Sequence, residues 1–374
     1  MQRRQFIKTS LYASVMAAFY GKQTIQAQIR PKRILVLGGT FFLGPAFVEA
    51  ALGDGHTVTL FNRGVTKPQL FPYVEKLRGY RSPNSDDQNL AAIAERHWDV
   101  VVDVWPFDPD MVESAARMLK SRTAHYLYVS SVAAYVSKDF GRPGVAEDAE
   151  LASWHGSASP YSRGKAESER RLHSILGDKL TIVRPGPIKG VRDDTPDMLT
   201  WLRRMQNCTE VIAPGDGSSP IELVDVKDVA SFLIRAIDHS IFGTFNLTGM
   251  PISFREFLTG CKLATNSEAE LVWIPKSFLQ TQGLETPDWS TNFPLWRSDS
   301  EQANLFRISS KKAFDAGWKT RPFWDTAVDY LIYVASLDLY IFRSTSDRDN
   351  FVFRDALEPA QQEKIISLWR NHGH

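Results

Sequence analysis

Tyr161 and Lys165 stand four residues apart in the stretch SASPYSRGKAESERRL. That spacing puts both on one face of a helix. Ser159 suits the N-cap of such a helix and Pro160 its first turn. An ammonium close to a phenol stabilises the phenolate and draws a pKa of about 10 toward neutrality. A phenol tuned in this way can take a proton from an alcohol while hydride leaves the same carbon, or return it in reverse. Alone, the pair reads equally well as two exposed neighbours on a helix. Its meaning depends on the elements that hold it.

Those elements begin with RILVL at Arg33–Leu37, a short apolar run that predicts a buried strand. Gly38, Gly39, Thr40, Phe41, Phe42, Leu43 and Gly44 follow as a glycine-rich loop, with Pro45 suited to a first helical turn. A helix carrying Phe47, Val48, Ala51 and Leu52 is expected to stop at Gly53-Asp54-Gly55, and Thr57 to Phe61 to form a second strand. Strand, glycine loop, helix and strand within about 30 residues is the dinucleotide-binding arrangement. The glycines let backbone approach a pyrophosphate, and the helix N-terminus offers free N–H groups. NAD-preferring sites carry an acidic residue at the end of the second strand. Here Asn62 and Arg63 stand there. Arg63 can pair with a 2′-phosphate, so NADP is expected ahead of NAD.

The alternation continues, with a helix over Asn89 to Arg96, a strand over Asp99 to Val104, a helix over Met111 to Lys120 and a strand over His125 to Ser130. The fold class is therefore α/β, a doubly wound parallel sheet of Rossmann type with a smaller C-terminal substrate lobe. Ligands of such sheets bind outside the carboxyl ends of the strands, where Ser130 and Ser131 fall.

The motifs GGTFFLG, LFNRG, YVSSVAAY, YSRGK, VRPGPIKG and IELVDVKDVASFL come in the order and spacing of one superfamily. From Arg33 to Tyr330 the chain resembles the extended short-chain dehydrogenase/reductases, in the NAD-dependent epimerase/dehydratase branch. Parts of the pattern are shared with chloroplast stem-loop RNA-binding proteins. The resemblance implies Tyr161 as acid/base and Lys165 as its tuner and ribose ligand. It implies Ser131 as the hydroxyl holding the substrate oxygen, and Pro185 and Gly186 beside the nicotinamide. Two departures stand out. Phe41 occupies the place of the middle glycine, where a side chain narrows the approach to the pyrophosphate. LRGYRSPN lacks the Gly-Asp that often ends the third strand and contacts adenine.

The expected organisation is a leader over residues 1–28 and a cofactor domain over 29–190, its sheet completed by about 220–250. A mainly substrate-binding lobe over 191–340 and a charged tail over 341–374, helical near Gln361 to Trp369, follow. Trp201, Trp273, Trp289, Trp296 and Trp154 could offer flat faces to a sugar ring, although at least half are expected in the core. Arg192, Asp193, Asp194, Arg297 and Arg307 are candidate polar contacts that read more readily as surface residues.

The first 28 residues hold Arg3, Arg4, Phe6, Ile7 and Lys8 followed by an apolar run to Gly21, an order that resembles a twin-arginine export signal. The run is too short to span a bilayer, which takes roughly 20 apolar residues. A periplasmic location, transient contact with the twin-arginine translocase and no stable membrane span are expected. The whole chain counts 44 Lys+Arg and 43 Asp+Glu; removing Arg3, Arg4, Lys8 and Lys22 leaves 40 against 43, a balance of −3. That balance gives no electrostatic reason to expect nucleic acid. Cys208 and Cys261 read as free thiols, and no metal-ligand spacing is seen. The expected partner is a small carbohydrate-type molecule, with a homodimer left open. The expected activity is epimerase or oxidoreductase chemistry at an alcohol carbon, with a tightly held cofactor and redox-neutral turnover. The alternatives are a simple NADPH-dependent reductase and a non-catalytic nucleotide- or RNA-binding protein.

Overall fold

A computed structural model describes residues 30–81, 90–104, 108–136, 144–284, 292–297, 308–338, 355 and 357–372. The leader stretch, Trp289 and Arg307 lie outside these residues. Seven strands form the central sheet: β1 Arg33–Leu37, β2 Thr57–Asn62, β3 Glu75–Arg78, β4 Trp98–Asp103, β5 Thr123–Val129, β6 Leu180–Pro185 and β7 Gly243–Leu247. Their order is β7-β6-β5-β4-β1-β2-β3 and every pairing is parallel. The order reverses between β1 and β4, and such a switch point opens a crevice at the carboxyl ends of the strands.

The helices used below are α1 Leu43–Gly53, α2 Pro109–Leu119, α3 Pro160–Leu176, α4 Asp197–Asn207, α5 Val226–Asp238, α6 Phe254–Thr265, α7 Phe323–Asp338 and α8 Pro359–Arg370. Strands buried on both faces need apolar side chains pointing both ways, and β1 supplies them. Ile34 and Val36 join Phe47 and Val48 of α1 and Val229 and Leu233 of α5 in one core. Leu35 and Leu37 join Val112 of α2 and Leu172 and Leu176 of α3 in the other.

The expected helix over Asn89 to Arg96 is reduced to Ala91–Ala94 among the described residues. An N-cap without a side-chain hydrogen bond and the early return to β4 give so short a segment little to extend it. Pro45 sits at the third position of α1, where a missing N–H still costs no intrahelical bond.

Past β6 the chain builds a second core. A parallel pair, Glu210–Pro214 with Glu270–Ile274, packs with α4, α6, α7 and α8. Trp201 is wholly buried there, edge-on to Phe254 with centroids 5.4 Å apart, and Trp296 is buried beside it. Asp193 and Arg297 also belong inside, contrary to their reading as surface residues. Asp193 is held by Lys189 Nζ at 3.2 Å and accepts from the Thr195 hydroxyl at 2.9 Å. Arg192 is spanned to Glu49 of α1 at 2.7 Å. Cys208 and Cys261 are both free, the first half-buried and the second buried. The tail helix α8 docks through Gln362, whose side chain accepts from the Ile212 N–H and donates to the Glu210 carbonyl.

Candidate active site

The carboxyl ends of β5 and β6 and the start of α3 bring Ser131, Tyr161 and Lys165 together. Ser159 caps α3 by accepting the Ser162 N–H at 3.1 Å, and Pro160 takes its first position. This fixes Tyr161 on the first turn. Ser131, in extended backbone, accepts the Ala133 N–H at 3.1 Å as it opens a short 3-10 turn. Its side chain also hydrogen-bonds Tyr161. Burial raises the Tyr161 pKa, and the Ser131 bond acts against that rise. Tyr161 nonetheless keeps 39% of its surface exposed, so the ring is accessible at the carboxyl end of the sheet.

Lys165 departs from expectation. It is buried, its Nζ donates to the Val129 carbonyl at 2.6 Å, and its pKa is lowered to about 7, chiefly by burial. Asp103 and Glu169 act to raise it. The Nζ lies 5.9 Å from the centre of the Tyr161 ring and 4.8 Å from that of Tyr128. The causes that act on the Tyr161 pKa are burial, which raises it, and the Ser131 hydroxyl, which lowers it. A desolvated ammonium gives up part of its charge and can do less for its neighbour.

Sequence reasoning missed the groups that hold this trio. Glu169, one turn beyond Lys165, accepts the Ser130 hydroxyl and is bridged by Arg184 of β6, with Nη2 at 2.6 Å. Arg184 donates onward to the Tyr135 hydroxyl at 2.7 Å, and Tyr135 donates to Asn246 of β7 at 2.7 Å. One buried chain thus ties α3 to three strand ends. On its other side Arg81 meets Asp103 at 2.6 and 2.7 Å, and Tyr126 donates to Asp103 at 2.8 Å. The four-residue step from Lys165 to Glu169 was visible in the sequence. The distant partners were not.

The β1–α1 loop fits a dinucleotide. The α1 N-terminus has no side-chain cap and no acid in its first turn, which leaves its positive dipole end for an anion, although the Gly44 N–H is engaged by the Phe41 carbonyl and Pro45 carries none. Gly44 lies against Gly39 so closely that a Cβ there would meet backbone at 2.7 Å. At the end of β2, Asn62 donates to the Gly38 carbonyl at 2.9 Å, and its oxygen accepts from the Gly64 N–H at 2.9 Å and Arg78 at 2.5 Å. Arg63 and Arg78 are exposed there. Arg78 comes from β3, 16 residues from Asn62, and nothing in the local sequence pairs them. Pro185 and Gly186 end β6; the Gly186 N–H donates to Leu247 at 3.0 Å. Buried Glu222 lies under Gly186, accepts from the Gly249 N–H at 2.9 Å, and has its pKa raised to about 8 by burial. Among the described residues no group of His, Cys, Asp and Glu could hold a metal ion, and no helix is long and apolar enough to cross a membrane.

Residues 109–247 match the model of the NAD dependent epimerase/dehydratase family. The matched segment runs from α2 to β7, so it contains Ser131, Tyr161, Lys165, Pro185 and Gly186. It begins after the loop bearing Phe41. The chain is also 27% identical, over 275 residues, to the chloroplast stem-loop binding protein of 41 kDa b of Arabidopsis thaliana, covering 66% of this chain and 67% of that protein. Two solved structures share the fold. UDP-glucose 4-epimerase of Thermotoga maritima, solved with UDP-glucose, is 18% identical with a TM-score of 0.60, covering 81% of this chain and 99% of that one. UDP-glucuronic acid 4-epimerase of Bacillus cereus, solved in complex with NAD, is 16% identical with a TM-score of 0.58, covering 82% and 99%. The segment that the family model matches thus coincides with the part of the sheet that carries the candidate catalytic groups.

Proposed function

We propose that this protein inverts or oxidises an alcohol carbon of a carbohydrate-type substrate, with epimerisation favoured. The observation that carries this reading is the partly exposed hydroxyl pair Ser131–Tyr161 at the carboxyl end of the sheet, with Lys165 one turn further along α3. A bound nicotinamide dinucleotide supplies the hydride acceptor and donor. The chain's own groups handle position and protons. Ser131 holds the substrate oxygen beside Tyr161, and the phenol gives or takes the hydroxyl proton. Lys165 would hold the cofactor ribose. Gly38, Gly39, Gly44 and the open first turn of α1 would receive the pyrophosphate.

We further infer NADP ahead of NAD. No acidic side chain ends β2, and two guanidinium groups, Arg63 and Arg78, stand at the place the adenosine ribose takes in this fold. The Arg3–Arg4 leader supports export in the folded state. A cofactor carried out with the protein favours turnover that returns the hydride, hence slow cofactor release and no net production of reduced nucleotide.

The test is to denature purified protein and identify the released nucleotide by mass. Native protein is then incubated with UDP-sugars and free sugars, with products and reduced-nicotinamide absorbance followed together. Epimer formation without net absorbance change supports the reading. Turnover that consumes external NADPH stoichiometrically replaces it with a simple reductase. Failure to bind any dinucleotide removes it.

A further inference from the structure

Phe41 stands where the family pattern has its middle glycine, and the structure shows where the extra side chain goes. The Gly44 N–H donates to the Phe41 carbonyl at 2.9 Å, closing a four-residue turn at the head of α1. Phe42 takes the strained corner of that turn, at φ 44 and ψ −103, and packs against the core shared by the sheet, α1 and α5. A bulky residue at positive φ is unfavourable, and such positions cluster at ligand clamps. Phe41 does the opposite of Phe42. Its ring keeps 51% of its surface exposed. The turn therefore rests one aromatic, half-buried, against the core and leaves the other exposed beside the uncapped helix N-terminus. The ring stays exposed beside the loop expected to receive the pyrophosphate.

We propose that Phe41 is a retention residue, its ring covering the pyrophosphate–ribose stretch of a bound dinucleotide and slowing its release. The inference rests on the dinucleotide reading above. Glycine at this position leaves that stretch of ligand open to water. A half-exposed phenyl ring gains from being covered, because apolar surface is removed from water on binding and must be re-exposed on release. Covering roughly 55 Å², about half of what Phe41 exposes, corresponds to about tenfold in the dissociation rate. The effect falls on release, since the ring makes its contacts only after the ligand is seated.

The experiment preloads the full chain with NADPH or NADH, adds excess ADP-ribose, and follows loss of bound reduced-nicotinamide fluorescence. Wild type, Phe41→Leu and Phe41→Gly are compared, with thermal melts of each. Release about tenfold faster in Phe41→Gly and intermediate in Phe41→Leu, with association rates nearly unchanged, is expected. Release within twofold of wild type in Phe41→Gly, or slower, overturns the proposal. So does wild-type behaviour of Phe41→Leu beside a fast Phe41→Gly, because loop freedom then explains the change. If Phe41→Gly does not fold, wild-type release in Phe41→Leu still overturns it. Wild-type protein that takes up neither nucleotide overturns the dinucleotide reading itself, and this proposal with it.

Discussion

Lys165 and Val129 are joined by a hydrogen bond of 2.6 Å that ties the lysine ammonium to the end of β5. The bond and the burial around it put the lysine in a low-dielectric site, where its pKa falls to about 7. Tyr161, for its part, hydrogen-bonds the Ser131 hydroxyl.

That shift has a stability consequence. The folded-state pKa of Lys165 lies below its ordinary value, so between about pH 7 and pH 10 the unfolded chain binds the proton and the folded chain does not. This group therefore makes the protein more stable as pH rises through that window. Lys165→Met should flatten the rise, seen as a smaller gain in melting temperature from pH 7 to pH 9.5 than in wild type. An identical slope in both proteins would show that the lysine keeps its ordinary pKa.

Glu222 should behave with the opposite sign. Its pKa is raised from 4.5 to about 8 by burial, so from about pH 4.5 to pH 8 the unfolded chain loses a proton that the folded chain keeps. Stability from this group falls with rising pH. Glu222→Gln keeps the shape and the acceptor for the Gly249 N–H, and should melt higher than wild type at pH 8 with less difference at pH 5. A constant difference across that range would contradict the raised pKa.

Tyr161→Phe removes the ionisable hydroxyl and little else. Turnover should fall by about 10²–10⁴-fold, the usual worth of a positioned acid/base, with dinucleotide affinity unchanged by titration. Ser131→Ala removes the bond that opposes the rise of the Tyr161 pKa. The limb of the pH–rate profile that reports phenol ionisation should move to higher pH. Near-normal turnover in Tyr161→Phe would take this residue out of the mechanism.

At the end of β2, Arg63→Ala should weaken NADP by about 1.5–3 kcal/mol, the worth of a hydrogen bond to a charged group, and barely change NAD. Arg78→Ala should act in the same direction and also loosen Asn62, whose oxygen it holds. Equal losses for the two nucleotides would remove the 2′-phosphate assignment.

Wild type should be found outside the cytoplasmic fraction, and Arg3→Lys together with Arg4→Lys should leave the protein in it. Fractionation with a cytoplasmic marker measures this. Unchanged distribution would exclude the twin-arginine route. A salt-dependent gel shift with stem-loop RNA should be absent, in line with the −3 balance of the chain after residue 28.

Much of this was legible in residue order, because periodicity and glycine placement are local. The apolar run at Arg33–Leu37, the glycines after it and the Ser159-Pro160 start of α3 each specify a backbone state within a few residues. Strand alternation then leaves a parallel sheet as the way to bury both faces. Four-residue steps on a helix likewise set Tyr161, Lys165 and Glu169 in one row. The tertiary structure alone decided which partners meet across the sheet. Arg78 reaches Asn62 from another strand, Arg184 reaches Glu169 from another strand, and Asp103 draws Arg81 and Tyr126 inside. It also decided protonation, since Lys165, Tyr161 and Glu222 are shifted mainly by loss of water. Desolvation depends on everything packed around a group, and no window of sequence contains that information.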